Sequence, residues 1–347
     1  RWIRLAADQR LAQAQDQLGL MYMVGRGVPQ DDAEAVGWLR QAAEQGHTSG
    51  QYDLGIMYSS GNGVPQDYVQ ALVWVNLAAT KAAKNVVYKG NRDAFNAAKA
   101  TQLKYAETRA TLVTQMTPPQ LMQAAEQGVA LAQLTLGVMY GTGQGVAQDD
   151  TQAVTWYRKA AEQGHPRAQY FLGLHYSTGQ GVTKDDTQVV TWTRKAAEQG
   201  YVDAQYNLGV LYWKGQGVAQ DYTQAAAWYG KAAKQGHLLA QSNLAFMYEE
   251  GRGVAQSDKE TAKWYRKAAE QGDTQAQYHL AFRYYKGQGV PQDYAQAHLW
   301  INLAATNASA EDQIEFAKVR DYIVDLMTPE QLAEAEKMAR AWKPTGQ

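Results

Sequence analysis

The chain has 347 residues, 45% of them hydrophobic, with 33 basic and 34 acidic side chains and a net charge of −1. Near-neutrality leaves no global electrostatic footprint for nucleic acid or an anionic membrane, and no apolar run approaches the length needed to cross a bilayer. The absence of cysteine excludes disulfide staples and thiolate metal sites without choosing a compartment.

Trp2, Trp38, Trp74, Trp156, Trp192, Trp228, Trp264 and Trp300 recur every 36 residues, except for one step of 82. A fixed period of this length identifies stacked repeats, in which no unit buries its apolar face alone and neighbours build a continuous core. The expected fold is all-α, an α/α solenoid of helix-turn-helix repeats, and the usual estimate of domain number from length does not apply.

In chain order, the opening R-W-I-R-L-A-A-D-Q matches the second half of a repeat, W-Y-R-K-A-A-E-Q. The natural sequence is therefore expected to continue upstream, where any secretory leader would lie. Each full repeat opens on A-Q-x-x-L-G-x-x-Y, as at Ala14 to Tyr22, Ala132 to Tyr140 and Ala168 to Tyr176. This spacing puts Leu, Gly and Tyr on one stripe of a first helix, helix A. The glycine (Gly19, Gly55, Gly137, Gly173, Gly209) becomes Ala245 and Ala281 later, so the position requires a small side chain for close helix contact rather than a positive φ. A G-x-G-V loop follows, as at Gly25 to Val28 and Gly215 to Val218, whose glycines end the helix and reverse the chain.

Asp31, Asp67, Asp149, Asp185, Asp221, Ser257 and Asp293 then read as N-caps of a second helix, helix B, each followed three residues on by Glu or Gln in a capping-box pattern. Helix B carries the periodic tryptophan and ends in A-A-E-Q-G or a variant, with Gly46, Gly164, Gly200, Gly236 and Gly272 as left-handed C′ residues. The repeats of Trp74 and Trp300 break this ending with W-V-N-L-A-A-T and W-I-N-L-A-A-T, which predicts a more apolar partner for each. Long helices are expected after them, near Asp93 to Gln115 and Glu311 to Leu326, followed by Thr117 and Thr328 as N-caps with proline at the first helical position. The repeat phase resumes at Ala124 to Gly128, so the step of 82 reads as a lengthened repeat within the array. The tail Lys343 to Gln347 is expected to fray.

The combined pattern A-Q-Y-x-L-G-x-x-Y-x-x-G-x-G-V-x-Q-D-x-x-x-A-x-x-W-Y-x-K-A-A-E-Q-G closely resembles the Sel1-like repeat, a relative of the tetratricopeptide repeat, over most of the chain. The resemblance implies a right-handed superhelix of α-hairpins with helix A lining the concave side, closed by degenerate capping units. It also implies an adaptor or scaffold role, a bacterial source and a periplasmic or secreted location. The cysteine-rich branch of the family, with disulfide-linked hairpins, is departed from here. The expected organisation is a half repeat at 1–10, Sel1-like repeats at 11–80 and a degenerate lengthened repeat at 81–128. Five Sel1-like repeats at 129–307, C-terminal capping helices at 308–342 and a tail at 343–347 complete it.

Reactive groups do not assemble in this sequence. The G-T-G-Q-G run at Gly141 to Gly145 follows a helix, lacks the Lys-Ser/Thr of a phosphate loop and repeats in other units, so it reads as a turn. His47, His165 and His237 share a position after the helix B glycine and read as residues packed over that helix end rather than metal ligands. No serine lies in S-x-x-K. Arg158, Lys159, Arg194, Lys195, Arg266 and Lys267 sit in the second half of helix B, where a solvated face and the helix dipole explain them. No catalytic residue, cofactor or metal is expected.

What varies between repeats lies on helix A. One series runs Asp16, Tyr52, Leu134, Tyr170, Tyr206, Ser242, Tyr278, and a second runs Met23, Ser59, Gly141, Ser177, Trp213, Glu249, Tyr285. A third includes Phe246 and Phe282. The resemblance places these on the concave face, where Tyr52, Tyr170, Tyr206, Trp213, Phe246, Tyr278, Phe282 and Tyr285 are candidate anchors. Lys214, Arg283 and Lys286 are candidate partners for carboxylates. The expected ligand is a peptide or protein. The alternative is a cell-wall or exported polysaccharide, and a hydrolase ranks last.

Overall fold

The computed structural model describes residues 2–85 and 92–345. Arg1 of the expected half repeat, residues 86–91 of the expected lengthened repeat and residues 346–347 of the expected tail lie outside the described residues. The chain forms two compact units, residues 1–168 with 180–182, and residues 169–179 with 183–347. The first holds α1 (Trp2–Asp8), α2 (Ala12–Val24), α3 (Asp32–Glu44), α4 (Thr48–Ser60), α5 (Tyr68–Asn85), α6 (Arg92–Gln115), α7 (Pro118–Glu126), α8 (Ala130–Thr142) and α9 (Asp150–Glu162). The second holds most of α10 (Pro166–Thr178), then α11 (Asp186–Glu198), α12 (Val202–Lys214), α13 (Tyr222–Lys234), α14 (Leu238–Glu250), α15 (Asp258–Glu270), α16 (Thr274–Lys286), α17 (Tyr294–Asn307), α18 (Ala310–Val324) and α19 (Pro329–Ala341). Among the described residues there is no strand, and within each unit consecutive helices pack as the α/α pairs of a solenoid.

The ends of the helices follow from the repeat letters. Asp149 Oδ1 accepts from the Thr151 and Gln152 amides at 2.9 and 3.0 Å, and Asp185 caps α11 in the same way. The residue three positions on does not complete a capping box in these repeats. Gln188, Glu260 and Gln296 instead accept from the indole N–H of Trp192, Trp264 and Trp300 one turn along. The N-cap amide is already satisfied, because Asp185 N–H donates to the Tyr176 carbonyl at 3.1 Å. Reciprocal capping boxes appear where that partner is missing, at Thr117 with Gln120 and Thr328 with Gln331.

Close approach explains the small residue of helix A. A Cβ on Gly209 would lie 2.6 Å from the Tyr229 ring, so α12 and α13 meet with no room for a side chain. In the loop, Gly217 has φ 66°, and a Cβ there would lie 2.2 Å from the Asp186 carbonyl oxygen. The loops at Gly63, Gly217, Gly253 and Gly289 rest in this way on the start of the preceding helix B.

A buried amide network ties three helices in each regular repeat. Gln205 of α12 donates to the Ala197 carbonyl of α11 at 3.1 Å and accepts from Gln235, at the end of α13, at 2.8 Å. Gln241 repeats this with Ala233 and Gln271, and Gln133 with Ala125 and Gln163. Lys81 and Asn307 replace the second glutamine in the altered repeats, and the Oε1 atoms of Gln51 and Gln277 have no partner there. These are the repeats against which the long helices α6 and α18 pack, burying Tyr105 and Leu112 in one case and Phe316 and Ile323 in the other.

The basic residues of helix B are more than a solvated face. Arg194 and Arg266 donate to the hydroxyls of Tyr212 and Tyr284 in the next helix A, and Lys159 and Lys195 lie 4.1 Å above the Trp156 and Trp192 rings. The two arginines link one repeat to the next, whereas the lysine contacts stay within one helix. Replacing Gln241 by Leu leaves the Ala233 carbonyl and the Gln271 amide without their partner. It is expected to lower stability by about 1–3 kcal/mol, read as a fall in the urea midpoint.

Candidate functional site

The buried face of each helix A is occupied by Gln, Leu and Gly or Ala, and the variable positions lie beside it, some buried, as Asp16, Tyr52 and Leu134 are, and others open to solvent. In the second unit, Tyr206, Val210 and Trp213 of α12 face Asn243 and Phe246 of α14 across a cavity of about 320 Å³ floored by Tyr229. Lys214 stands at its rim, exposed. The walls are held by ring contacts: Tyr206 stacks on His237 with centroids 4.5 Å apart, and Trp213 meets Tyr222 at 4.8 Å. The Arg252 guanidinium lies 5.6 Å from the Trp213 ring and 5.8 Å from that of Phe246. Burial pushes the Tyr206 phenol above its ordinary pKa, so it stays a neutral hydrogen-bonding group.

A second cavity, of about 200 Å³, lies between α16 and α18, where Phe282 and Tyr285 face Lys318, Val319, Tyr322 and Ile323. Tyr278 stacks on Phe316 at 4.5 Å and donates to Glu315, while the Lys286 ammonium lies 5.8 Å from the Phe282 ring. The structure thus gathers Tyr206, Trp213, Lys214 and Phe246 at one site, and Tyr278, Phe282, Tyr285 and Lys286 at another. Tyr170 stands apart, tilted on Tyr201 at 5.2 Å and accepting from Asn207.

Two candidate residues are engaged inside the fold. Arg283 is only 6% exposed, and it donates to Glu249 and, at 2.7 Å, to Asp258. Its register is that of the buried Leu211 and Met247, so it faces the core, where its charge demands partners. The Tyr265 hydroxyl donates to Glu249 as well, at 2.7 Å. Burial first, then the Glu249 contacts, push that phenol far above its ordinary value. Tyr52 is covered by Tyr105 of α6, ring on ring at 4.3 Å, with its hydroxyl 3.2 Å from Thr108 Oγ1.

Two of the three histidines have another role than packing over the preceding helix end, while His165 Nδ1 makes no hydrogen bond. Nδ1 of His47 accepts from the Gly50 amide and that of His237 from the Ala240 amide, so they cap the following helix A, as Asp273 does through Ala276. Among the described residues no group of three His, Asp or Glu side chains is placed to hold a metal ion, and no helix is long and apolar enough to cross a membrane.

Sequence reasoning placed Asp16 only as a variable position of helix A and passed over Asp53 and the amide network. Asp16 is buried, its Oδ1 without a hydrogen bond and 3.7 Å from His47 Nδ1, and Asp53 beside it is pushed up to about 6, by burial first and then by the charge of Asp16. The covering residues Lys104 and Tyr105 come from α6, which the repeat pattern does not describe. The glutamines were visible as fixed letters of A-Q and E-Q-G, and their constancy was the available signal.

An α/α solenoid with aromatic cavities between successive A helices, and no assembled reactive groups among its described residues, defines a class of repeat proteins that act through surface. The chain belongs to the Sel1 repeat family, which matches residues 12–47, 48–82, 130–165, 166–201, 202–237, 238–273 and 274–309. Sel1 repeat proteins are generally non-catalytic protein-interaction scaffolds. No curated protein matches the chain. Among solved structures it is similar to c5321, a protective antigen of uropathogenic Escherichia coli strains, with 36% identity, a TM-score of 0.58 and coverage of 98% of this chain and 78% of that one. It is also similar to a Sel1 repeat protein of Oxalobacter formigenes, with 33% identity, a TM-score of 0.50 and coverage of 91% and 78%.

The raised pKa of Asp53 sets a pH dependence. Because the folded value lies above the ordinary 3.8, folding is favoured by the bound proton at low pH, and this contribution is lost as pH rises from 3.8 to about 6. Asp53→Asn is expected to raise the melting temperature above pH 6 and to leave it nearly unchanged below pH 3.8, which melts across that range will check.

Proposed function

We propose that this protein is an exported, host-facing scaffold, without enzymatic activity, that holds a peptide or protein partner against the A helices of its second unit. The observation that carries this reading is the aromatic cavity of about 320 Å³ between α12 and α14. Its rings are fixed by internal contacts, so little side-chain freedom is lost when a partner inserts a side chain, and partly exposed Trp and Tyr are the residue types that dominate binding energy at interfaces. Tyr206, Trp213 and Phe246 supply the anchors, and Lys214 a charge at the rim. Tyr278, Phe282, Tyr285 and Lys286 extend the surface. Tyr170 adds a further ring, while Tyr52 and Arg283 support the fold beneath their faces. The likeness to a protective antigen of a pathogen supports a location outside the cytoplasm, periplasmic or secreted, and an encounter with host proteins.

The test is capture of partners from a host-cell or serum extract by the full chain, compared with a variant carrying Trp213→Ala and Tyr285→Ala. Loss of each anchor is expected to cost about 2 kcal/mol, so the double variant recovers little of the partner. Equal recovery by the two proteins would remove the aromatic surface from the function. Binding to a glycan array that disappears in the same variant, with no protein captured, would replace the partner by a polysaccharide.

A further inference from the structure

The two aromatic cavities of the second unit share one chemistry, and it narrows what the partner can be. Each joins an apolar recess to an exposed lysine, Lys214 at the recess between α12 and α14 and Lys318 at the recess between α16 and α18. An apolar cavity of about 150 Å³ is enough to hold a benzene ring, so volumes of about 320 and 200 Å³ each admit a large apolar side chain.

The charge beside these recesses has one sign. Lys286 is exposed at the register of Lys214, and among the described residues none of Lys214, Lys286 and Lys318 forms an ion pair. The carboxylates of the same surface are engaged. Glu249 is held by Arg283 and Tyr265, Glu250 lies 3.7 Å from Arg252, and Glu315 accepts from Tyr278 at 3.1 Å. Helix α16 carries no carboxylate, and Asp203 stands in the first turn of α12, at the far end from Lys214. A cation, which aromatic faces would otherwise attract, meets uncompensated positive charge here. A carboxylate next to an apolar side chain meets a partner.

The order of the helices adds a length. The recesses are two helix steps apart, and the pair of Arg283 with Glu249 bridges α14 and α16 between them. Packed helices stand about 8–10 Å axis to axis, which places the recesses about 16–20 Å apart. Side chains of an extended chain alternate in direction, and an interval of about six residues is the first even one to cover that span.

Resting on the reading of these cavities as the binding surface, we propose that the partner segment is an extended acidic peptide with two large apolar side chains about six residues apart, each next to a Glu or Asp. One apolar side chain fills the recess of Trp213 and Phe246, with its carboxylate at Lys214. The other fills the recess of Phe282 and Tyr322, with its carboxylate at Lys318.

The experiment is fluorescence anisotropy of a labelled, amidated Gly-Phe-Glu-Gly-Ser-Gly-Ser-Phe-Glu-Gly peptide titrated with the full chain at low salt. Replacing either phenylalanine by alanine is expected to weaken binding about tenfold or more, and replacing both glutamates by glutamine about fivefold. Placing the two phenylalanines side by side is expected to lower affinity to that of a one-anchor peptide. Lys214→Glu, an exposed change that leaves the melting curve in place, is expected to abolish the preference for Glu over Gln. No binding, equal binding of the Glu and Gln peptides, equal binding of one- and two-anchor peptides, or an unchanged preference in Lys214→Glu would each overturn the proposal. If the Trp213→Ala, Tyr285→Ala variant nevertheless loses its captured partner, the cavities remain the binding surface and only this peptide class falls. If that variant captures the partner as the wild type does, the surface falls as well.

Discussion

The structure depends on a buried side-chain amide that donates and accepts at once. Gln205 gives its N–H to the helix before it and takes one from the end of the helix after it, so one residue holds three helices in register. In a low-dielectric interior an amide missing either partner is costly, and the fixed letters A-Q and E-Q-G follow from that cost. Hydrophobic contact between alanine-rich faces favours stacking, but it tolerates sliding. The directional amide contacts do not.

The same network shows where the array can be altered. When the second glutamine is replaced by Lys81 or Asn307, the first keeps its bond to the preceding helix and loses its other partner. The long helices α6 and α18 pack on the repeats that contain these breaks. In the first unit Lys81 turns to the Gly46 carbonyl; in the second, Asn307 turns back to the Leu303 carbonyl of its own helix.

With the frame held by glutamine, glycine and tryptophan contacts, the variable positions of helix A are free to differ. In the second unit they became aromatic. Arg283, which pairs with Glu249 of α14 and Asp258 of α15, occupies a register that is apolar in neighbouring repeats. Ion pairs at such a position contribute geometry more than stability. They fix the helices that carry Phe246 and Phe282.

Period, helix boundaries, caps and family membership were determined by the sequence alone, because each rests on local letters repeated at fixed spacing. The Asp N-caps, the left-handed glycines after helix B and the small residue of helix A all follow from the conformation of a few neighbouring residues. Tertiary structure decided what those letters touch. It moved Gln188 and Glu260 from a capping box to the tryptophan indole, turned Arg283 inward and covered Tyr52 with a ring from α6. It also brought Asp53 beside Asp16. These outcomes depend on which residue of a neighbouring helix arrives at a given atom, and a one-dimensional repeat does not contain that information wherever an inserted helix replaces the regular neighbour.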